Sequence, residues 1–364
     1  MVCMWLGIRR IFATVSIWNR IQEGMGFMKA MRLEDWGLEN LKQVTLSDPE
    51  PAPDEVLIRI EAVSINPRDG ILMQGGYGRK GGTPPLIPLC DGAGVIAAVG
   101  TNVTNFTVGD FVIPAFSRNW LHGSPAEETY TGAHGGPLDG TMRELMPVPA
   151  SAIVKAPPHM SMQEAATLPC AALTAWSAVV GQGGVKAGDK VLIQGTGAVS
   201  LFALQFAKMQ GAEVILTSSS DEKLERVAHL GADHTINYRQ TPEWHRVTRE
   251  ITNGRGLDHI VDIGGAGTLE KALSAIRISG SISLIGVLGG SDASLPLGRV
   301  VTQNIRLQGV TVGSHHMLQE MVAAMALHKT KPVLDDQTFE FGDLANALKR
   351  LTKGEHIGKI VCAF

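Results

Sequence analysis

The sequence predicts an α/β protein in which a barrel-like half of short antiparallel strands precedes a doubly wound, mostly parallel sheet. Three observations point there. The stretch Val191–Gly211, VLIQGTGAVSLFALQFAKMQG, reads as strand, glycine turn and helix. Beyond it, strand-length apolar runs alternate with helical patterns down to Val312, the succession expected of a parallel sheet with crossover helices. Before it, from Met28 to Pro114, glycine and proline closely punctuate β-like runs, which favours antiparallel strands in a barrel.

The organising stretch carries its own chemistry. Val191, Leu192 and Ile193 run into Gly195 and Gly197. Leu201, Phe202, Leu204, Phe206 and Met209 then follow a helical pattern, and Gly211 ends it. Glu213–Thr217 is the next strand. This is the opening of a dinucleotide-binding unit. The first glycine permits the tight turn, and the second lets the main chain approach a pyrophosphate. The helix N-terminus, at Ala198 and Val199, offers free N–H groups at the positive end of the helix dipole. The third position of the usual glycine pattern is Ser200, small enough for close helix–strand packing.

With 364 residues the chain is long enough for two domains and a sizeable core. A formal net charge of −3 gives no polyanion-binding signal, so nucleic acid is not an expected partner. Cys3, Cys90, Cys170 and Cys362 are scattered and suggest no disulfide framework; a reducing, cytoplasmic compartment is the default. No apolar run reaches bilayer-spanning length.

Residues 1–27 read differently. Arg9, Arg10 and Arg20 precede the first acid, Glu23, and Ile8, Ile11, Phe12, Val15 and Trp18 fall at helical spacing. Such a start is either a mitochondrial transit segment or an upstream extension from a wrong start codon, since Met28 opens a sensible globular sequence. From there Val56–Ala62 alternates, Val63–Asn66 stops at Pro67, and Gly92–Gly100 and Asp110–Pro114 read as strands. Ser117–Gly140 is a long polar, glycine-rich loop, expected to shape a pocket. Helical patterning over Met162–Leu168 and Leu173–Val180 flanks Pro169–Cys170. Helices over Asp221–His229, Pro242–Thr252 and Thr268–Ile276 then alternate with strands at Thr235–Tyr238, His259–Asp262, Ser281–Val287 and Ile305–Val312. The tail adds helices at Met317–His328 and Leu344–Leu351 and a closing strand, Lys359–Phe364.

These residues resemble the medium-chain dehydrogenase/reductase superfamily, most of all its zinc-independent, quinone-oxidoreductase-like branch. The resemblance covers about Met28 to Phe364 and rests on several motifs together: SINPRDG (Ser64–Gly70), IPLCDGAGVIAAVG (Ile87–Gly100), VGD (Val108–Asp110), LPCAALTAW (Leu168–Trp176), GTGAVS (Gly195–Ser200) and GKIV (Gly358–Val361). It implies a GroES-like barrel domain (28–170), a Rossmann domain (171–314), a C-terminal return to the first domain (315–364), and a homodimer paired through the edge of the parallel sheet.

Zinc-dependent members of that superfamily hold a catalytic zinc with Cys, His and Cys. By motif, those positions here are Asn66, Cys90 and Cys170, with Asp91 after Cys90. An amide is a poor zinc ligand, so a zinc-free site is expected, although Cys90, Asp91 and Cys170 could in principle form one. Cys170 also reads simply as a small buried residue. A structural-zinc lobe would need four close cysteines, and none lies between Cys90 and Cys170.

An acid about 20 residues after the glycines would bind the ribose hydroxyls of NAD. Ser218 stands at that position, within Thr217-Ser218-Ser219-Ser220, so NADP is expected ahead of NAD. Ser218, Ser219 and Lys223 are candidates for the 2′-phosphate; the serines equally suit a helix cap before Asp221. The resemblance places Tyr238 along the adenosine and Thr174 near the nicotinamide. It also places Gly264, Gly286, Val287 and Leu288 along the cleft and Lys359 on the pyrophosphate.

Without a metal, the protein must position an acceptor and stabilise the oxygen that gains charge. Asn66 as amide donor, Arg68 or Asp69 as positioning groups and Tyr77 as proton donor are the candidates. Asp69 alternatively holds its loop through a main-chain hydrogen bond, and Tyr77 alternatively anchors one. The function read here is NADPH-dependent reduction of a quinone, enone or other carbonyl-activated small molecule. The alternatives are a zinc alcohol dehydrogenase with altered ligands and a non-catalytic NADPH-binding protein.

Overall fold

The computed structural model describes residues 26–364, so the extension read over residues 1–27 lies almost wholly outside the described residues. In chain order the strands of the first half are β1 (Phe27–Leu33), β2 (Leu41–Ser47), β3 (Glu55–Ser64), β4 (Asp91–Val99), β5 (Phe111–Pro114), β6 (Leu145–Pro149) and β7 (Ile153–Lys155). Then come β8 (Lys190–Gln194), β9 (Glu213–Ser218), β10 (His234–Asn237), β11 (Leu257–Asp262), β12 (Ile276–Leu284) and β13 (Arg306–Gly309). The tail contributes β14 (Phe339–Glu340) and β15 (Val361–Ala363).

β1 and β2 form an antiparallel pair, and a seven-stranded sheet runs β14-β15-β3-β4-β5-β7 with β6 also on β3. β3 is its spine. Val56, Ile58 and Ile60 enter the core of this half, while Leu57 and Ala62 face other clusters, so the strand is apolar on both faces. Register shifts at Leu57/Ile58 and Ile60/Ala62 bend it, as a curved, barrel-like sheet requires. β15 pairs antiparallel with β3, Val361 opposite Ser64. The C-terminus thereby returns to the first half of the chain.

The second sheet is six-stranded, ordered β10-β9-β8-β11-β12-β13, with every neighbouring pair parallel. β8, β9 and β11 are covered on both faces; β8 and β9 read as mostly apolar runs for that reason, while β11 buries Asp258, His259 and Asp262 beside its apolar residues. The order reverses between β8 and β11, the crevice where open α/β sheets bind ligands. On one face Phe206 of the helix Ala198–Met209 packs edge-on against Trp176 (5.2 Å between centroids) and stacks on Phe202 (6.0 Å). Burying a phenylalanine this completely stabilises the fold by about 2–3 kcal/mol.

Two local expectations change. Pro169 does not interrupt the helical path. It sits in the first turn of a wide, π-type segment, Leu168–Ala172, where its missing N–H does no harm, and a second such segment follows at Ser177–Gly181. The segment between Ser117 and Gly140 contains a short helix, Glu127–Thr131, and is closed by a Ser117–Ala133 bridge, so it is folded rather than a plain loop.

Candidate active site

The site grows from the end of β3. After Ser64 the chain turns at Ile65-Asn66 and enters the helix Pro67–Met73, with proline at its first position. The Asp69 carboxylate accepts the Asn66 N–H at 2.8 Å and so stabilises the helix start. That is the main-chain role foreseen as its alternative. Freed from capping, the Asn66 side chain turns into the core.

There it meets Lys359 and Asp91. The Lys359 ammonium donates to the Ile65 carbonyl (2.8 Å), Asn66 Oδ1 (2.7 Å) and Asp91 Oδ2 (2.8 Å). Asp91 Oδ2 also accepts from Ser64 Oγ and Asn66 Nδ2, both at 2.8 Å. Lys359 is 1% exposed and Asp91 wholly buried, so this is a closed, fully partnered ion pair. The expectation for Lys359 is corrected accordingly. Its side chain turns inward onto this cluster beneath Asn66, while the main chain just before it stays at the glycine turn, where Gly358 bridges Gly197 and donates its N–H to the Thr196 carbonyl.

Two thiols lie above the pair. Asn66 Nδ2 is 3.6 Å from Cys90 Sγ. The ligand atoms of Cys90, Asp91 and Cys170 all fall within 4.8 Å of one another. Burial pushes the Cys90 thiol well up, and the adjacent Cys170 and Asp69 add to the shift. Cys170 reaches this place from the wide turn at Leu168–Ala172.

Arg68 walls the cleft. Its guanidinium carbon lies 4.9 Å from the Phe116 ring centroid and 5.9 Å from that of Tyr77. Its Nη1 and Nη2 donate to the carbonyls of His134 and Gly136, both at 3.3 Å, and Asp69 Oδ1 is 3.6 Å away. Burial works against the Arg68 charge, but the Cys90 and Cys170 sulfurs and the Asp69 carboxylate outweigh it and hold the pKa up. Burial likewise lifts the Asp69 carboxyl to about 6 despite Arg68 beside it. Tyr77 is half exposed at the rim, and its partial burial raises its phenol.

The nucleotide half lies at the sheet's switch point. Gly195 adopts φ +81°, and its N–H closes the turn onto the Thr217 carbonyl at 2.7 Å. Nothing lies within 4 Å of where a Cβ on Gly197 would stand, so the ground before Ala198 and Val199 is open. Ser200 turns its hydroxyl back to the Gln194 carbonyl at 2.6 Å, which explains why serine is accommodated there. Ser218 is buried at the end of β9, with Ser219 beside it; the helix cap is Ser220, whose Oγ accepts the Lys223 N–H. The Lys223 ammonium reaches the Gly354 and His356 carbonyls, and burial lowers its pKa. Tyr238 is exposed just past β10, and Val287 and Leu288 are exposed beyond β12, next to Gly286. The Thr174 hydroxyl donates to the Thr311 carbonyl.

Sequence reading missed Asp262. Its buried carboxylate accepts from the Gly264 and Gly265 N–H groups, Thr268 Oγ1 and Gln194 Nε2, fixing the loop that faces the glycine turn. The signal was present: an acid at a strand end followed closely by two glycines. Phe116 was also missed, and nothing local marks it.

Comparison with known proteins adds to this geometry. The model of the alcohol dehydrogenase GroES-like domain matches residues 52–158, and that of the zinc-binding dehydrogenases matches residues 198–327. The chain is 41% identical over 333 residues to a zinc-type alcohol dehydrogenase-like protein from Schizosaccharomyces pombe, covering 89% of this chain and 95% of that one. A crystal structure from Sinorhizobium meliloti assigned to the alcohol dehydrogenases has a TM-score of 0.87 at 41% identity, over 93% of this chain and 99% of the other. That of an NAD-dependent alcohol dehydrogenase scores 0.84 at 32% identity, over 92% and 99%. Barrel, parallel sheet and cleft thus define a nicotinamide-dependent oxidoreductase. The chain belongs to the medium-chain dehydrogenase/reductase superfamily, whose members use NAD(P).

The glycine turn, the open ground before the helix and the cleft at the switch point fit a dinucleotide. The donor set departs from the Cys, His and Cys of the zinc-dependent members, with Asn66 at the first position and Cys90 at the second. Asn66 turns its hydrogen-bearing nitrogen toward Cys90, and its oxygen is taken by Lys359. Asp91 already faces an ammonium at 2.8 Å, a charge that would repel a dication. Cys90, Cys170 and Asp91 Oδ1 converge here, the last on a carboxylate whose other oxygen Lys359 already holds.

Proposed function

We propose that this enzyme transfers a hydride from NADPH to a quinone, enone or other carbonyl-activated small molecule without a catalytic zinc. The observation that carries the metal-free part is the Asn66–Asp91–Lys359 cluster, which engages two potential ligand positions internally. A bound nicotinamide supplies the hydride chemistry. Gly195, Gly197, Ala198 and Val199 hold the pyrophosphate, and Gly264 with Gly286–Leu288 borders the cleft. Ser218 and Ser219, where an acid would repel a 2′-phosphate, support NADP over NAD. Asp69 and Asn66 fix the cleft floor, and Tyr77 stands at the rim.

We further propose a cytoplasmic homodimer. β13 is an unpaired sheet edge, and Leu297 and Val301 beside it are exposed apolar residues. Among the described residues no helix is long and apolar enough to cross a membrane.

The test is oxidation of NADPH and NADH with chelator present, against quinones, α,β-unsaturated ketones and simple aldehydes. Chelator-resistant NADPH turnover on quinones or enones is the expected result. Activity confined to aldehydes, lost with chelator and restored by zinc, would make Cys90, Asp91 and Cys170 ligands and overturn the reading. Tight NADPH binding with no turnover on any acceptor would favour a non-catalytic role.

A further inference from the structure

We propose that Arg68 is the electrophile of the cleft, binding the carbonyl oxygen of a conjugated substrate and holding the negative charge that forms there. This rests on the reductase reading above.

The argument starts from an unusual cation. Arg68 directly follows the proline that begins its helix, so its backbone is fixed by a rigid turn. Only 15% of its side chain is exposed. A guanidinium has five N–H donors in a rigid plane. Two go to the His134 and Gly136 carbonyls at 3.3 Å, which tether it to the folded Ser117–Gly140 segment without neutralising it. Asp69, the nearest carboxylate, stands at 3.6 Å, beyond hydrogen-bond range, and its Oδ2 is engaged by the Asn66 N–H. One more faces the Cys90 sulfur, and the remaining donors stay free beside the two thiols. Phe116 and Tyr77 lie against the cation and lower the local dielectric, which strengthens what it does to a nearby oxygen.

The other cation of the site cannot take this role. Lys359 has all three ammonium hydrogens engaged, and it is sealed beneath Asn66. Among the described residues, Arg68 is the partly buried cation of this site with donors left over. When a conjugated carbonyl accepts hydride at its β-carbon, the alkene pair moves to the α-carbon and the carbonyl oxygen. The oxygen becomes an enolate, and a water proton completes the reduction at the α-carbon. The hydride donor leaves oxidised by two electrons. The enolate oxygen is the charge that preorganised N–H donors stabilise most effectively.

The test uses trans-cinnamate as a stable anionic analogue, its binding read by tryptophan fluorescence in full-length protein saturated with NADP. Wild type is expected to bind it, with Arg68→Met at least tenfold weaker and Arg68→Lys between the two. NADPH affinity is expected to be equal in all three. Guanidinium at low millimolar concentration should restore part of the enone turnover of Arg68→Gly, which a purely structural arginine would not allow. Cinnamate bound equally by wild type and Arg68→Met, or not bound by wild type, would overturn the proposal. Arginine-dependent cinnamate binding in an enzyme that reduces no enone or quinone would keep the anion site and sink the reductase reading alone.

Discussion

Lys359 Nζ and Asp91 Oδ2 meet at 2.8 Å where neither side chain reaches solvent. Two hydrogen bonds from Ser64 and Asn66 complete the carboxylate, and two carbonyl-type oxygens complete the ammonium. Breaking such a pair from one side leaves a buried charge uncompensated. Lys359→Met is therefore expected to lower the unfolding free energy by about 3–5 kcal/mol, and Lys359→Met/Asp91→Asn to recover most of it. Urea unfolding of wild type and both variants measures this. A single-variant loss under about 1 kcal/mol would mean that water enters the cluster.

The two glycines of the turn should respond differently. Alanine at Gly195 must hold φ +81° and meets Ile263 Cδ1 at 2.9 Å, so Gly195→Ala is expected to destabilise the fold by about 1–2 kcal/mol. A Cβ at Gly197 meets nothing within 4 Å, so Gly197→Ala changes stability by less than about 1 kcal/mol. It nonetheless places a methyl in the proposed pyrophosphate site. NADPH affinity is expected to fall roughly tenfold, about 1.4 kcal/mol. Titration of NADPH against protein fluorescence checks it, and unchanged affinity would move the cofactor away from this turn.

What the sequence made legible was what is local. Gly195, Gly197 and the strand and helix around them announce themselves because the turn's requirements are met within a few residues. The neighbourhood of Cys90, Asp91 and Cys170 was visible through motif positions. Lys359 was misread because its partners are set by the β15–β3 register, a pairing of residues nearly 300 positions apart that no local pattern encodes. Phe116 beside Arg68 is of the same kind. Pro169 misled in the other direction: a proline that looks like a break is harmless in the first turn of a π-type segment.

Two buried histidines give the fold a pH dependence. Burial, with Arg143 adding to it, lowers His134 from 6.5 to about 4; burial, with Arg306 adding, does the same to His259. The unfolded chain binds these protons below pH 6.5, while the folded chain resists them until about pH 4. Stability is thus fully present above 6.5 and lost as pH falls through that window, by about 2 kcal/mol per histidine at pH 5. His259 hydrogen-bonds Ser281 and Ser283. Replacing it with glutamine is expected to weaken the fold at pH 7 yet reduce the acid slope by about one proton, ~1.4 kcal/mol per pH unit. Urea unfolding at pH 5, 6 and 7 resolves the slope; an unchanged slope would show that His259 is protonated in the folded state.

The proposed preference for NADP rests on the end of β9. Ser218 closes that strand, level with Asn237 of β10, and Ser219 follows in a bend. A carboxylate at this strand end hydrogen-bonds ribose hydroxyls but repels a 2′-phosphate. Ser218→Asp is expected to weaken NADPH binding by roughly tenfold or more, ~1.4 kcal/mol, and to leave NADH equal or tighter. Ser218 is buried but a 2′-phosphate beside it would face solvent, so the repulsion should shrink in part as salt rises from 0.05 to about 0.5 M, where screening shortens to a few ångströms. NADH dissociation should not follow that trend. Fluorescence titration of both nucleotides at two salt concentrations separates the outcomes. A wild type that already prefers NADH would overturn the NADP assignment, and a loss of NADPH affinity that ignores salt would assign the effect of Ser218→Asp to packing at a buried strand end.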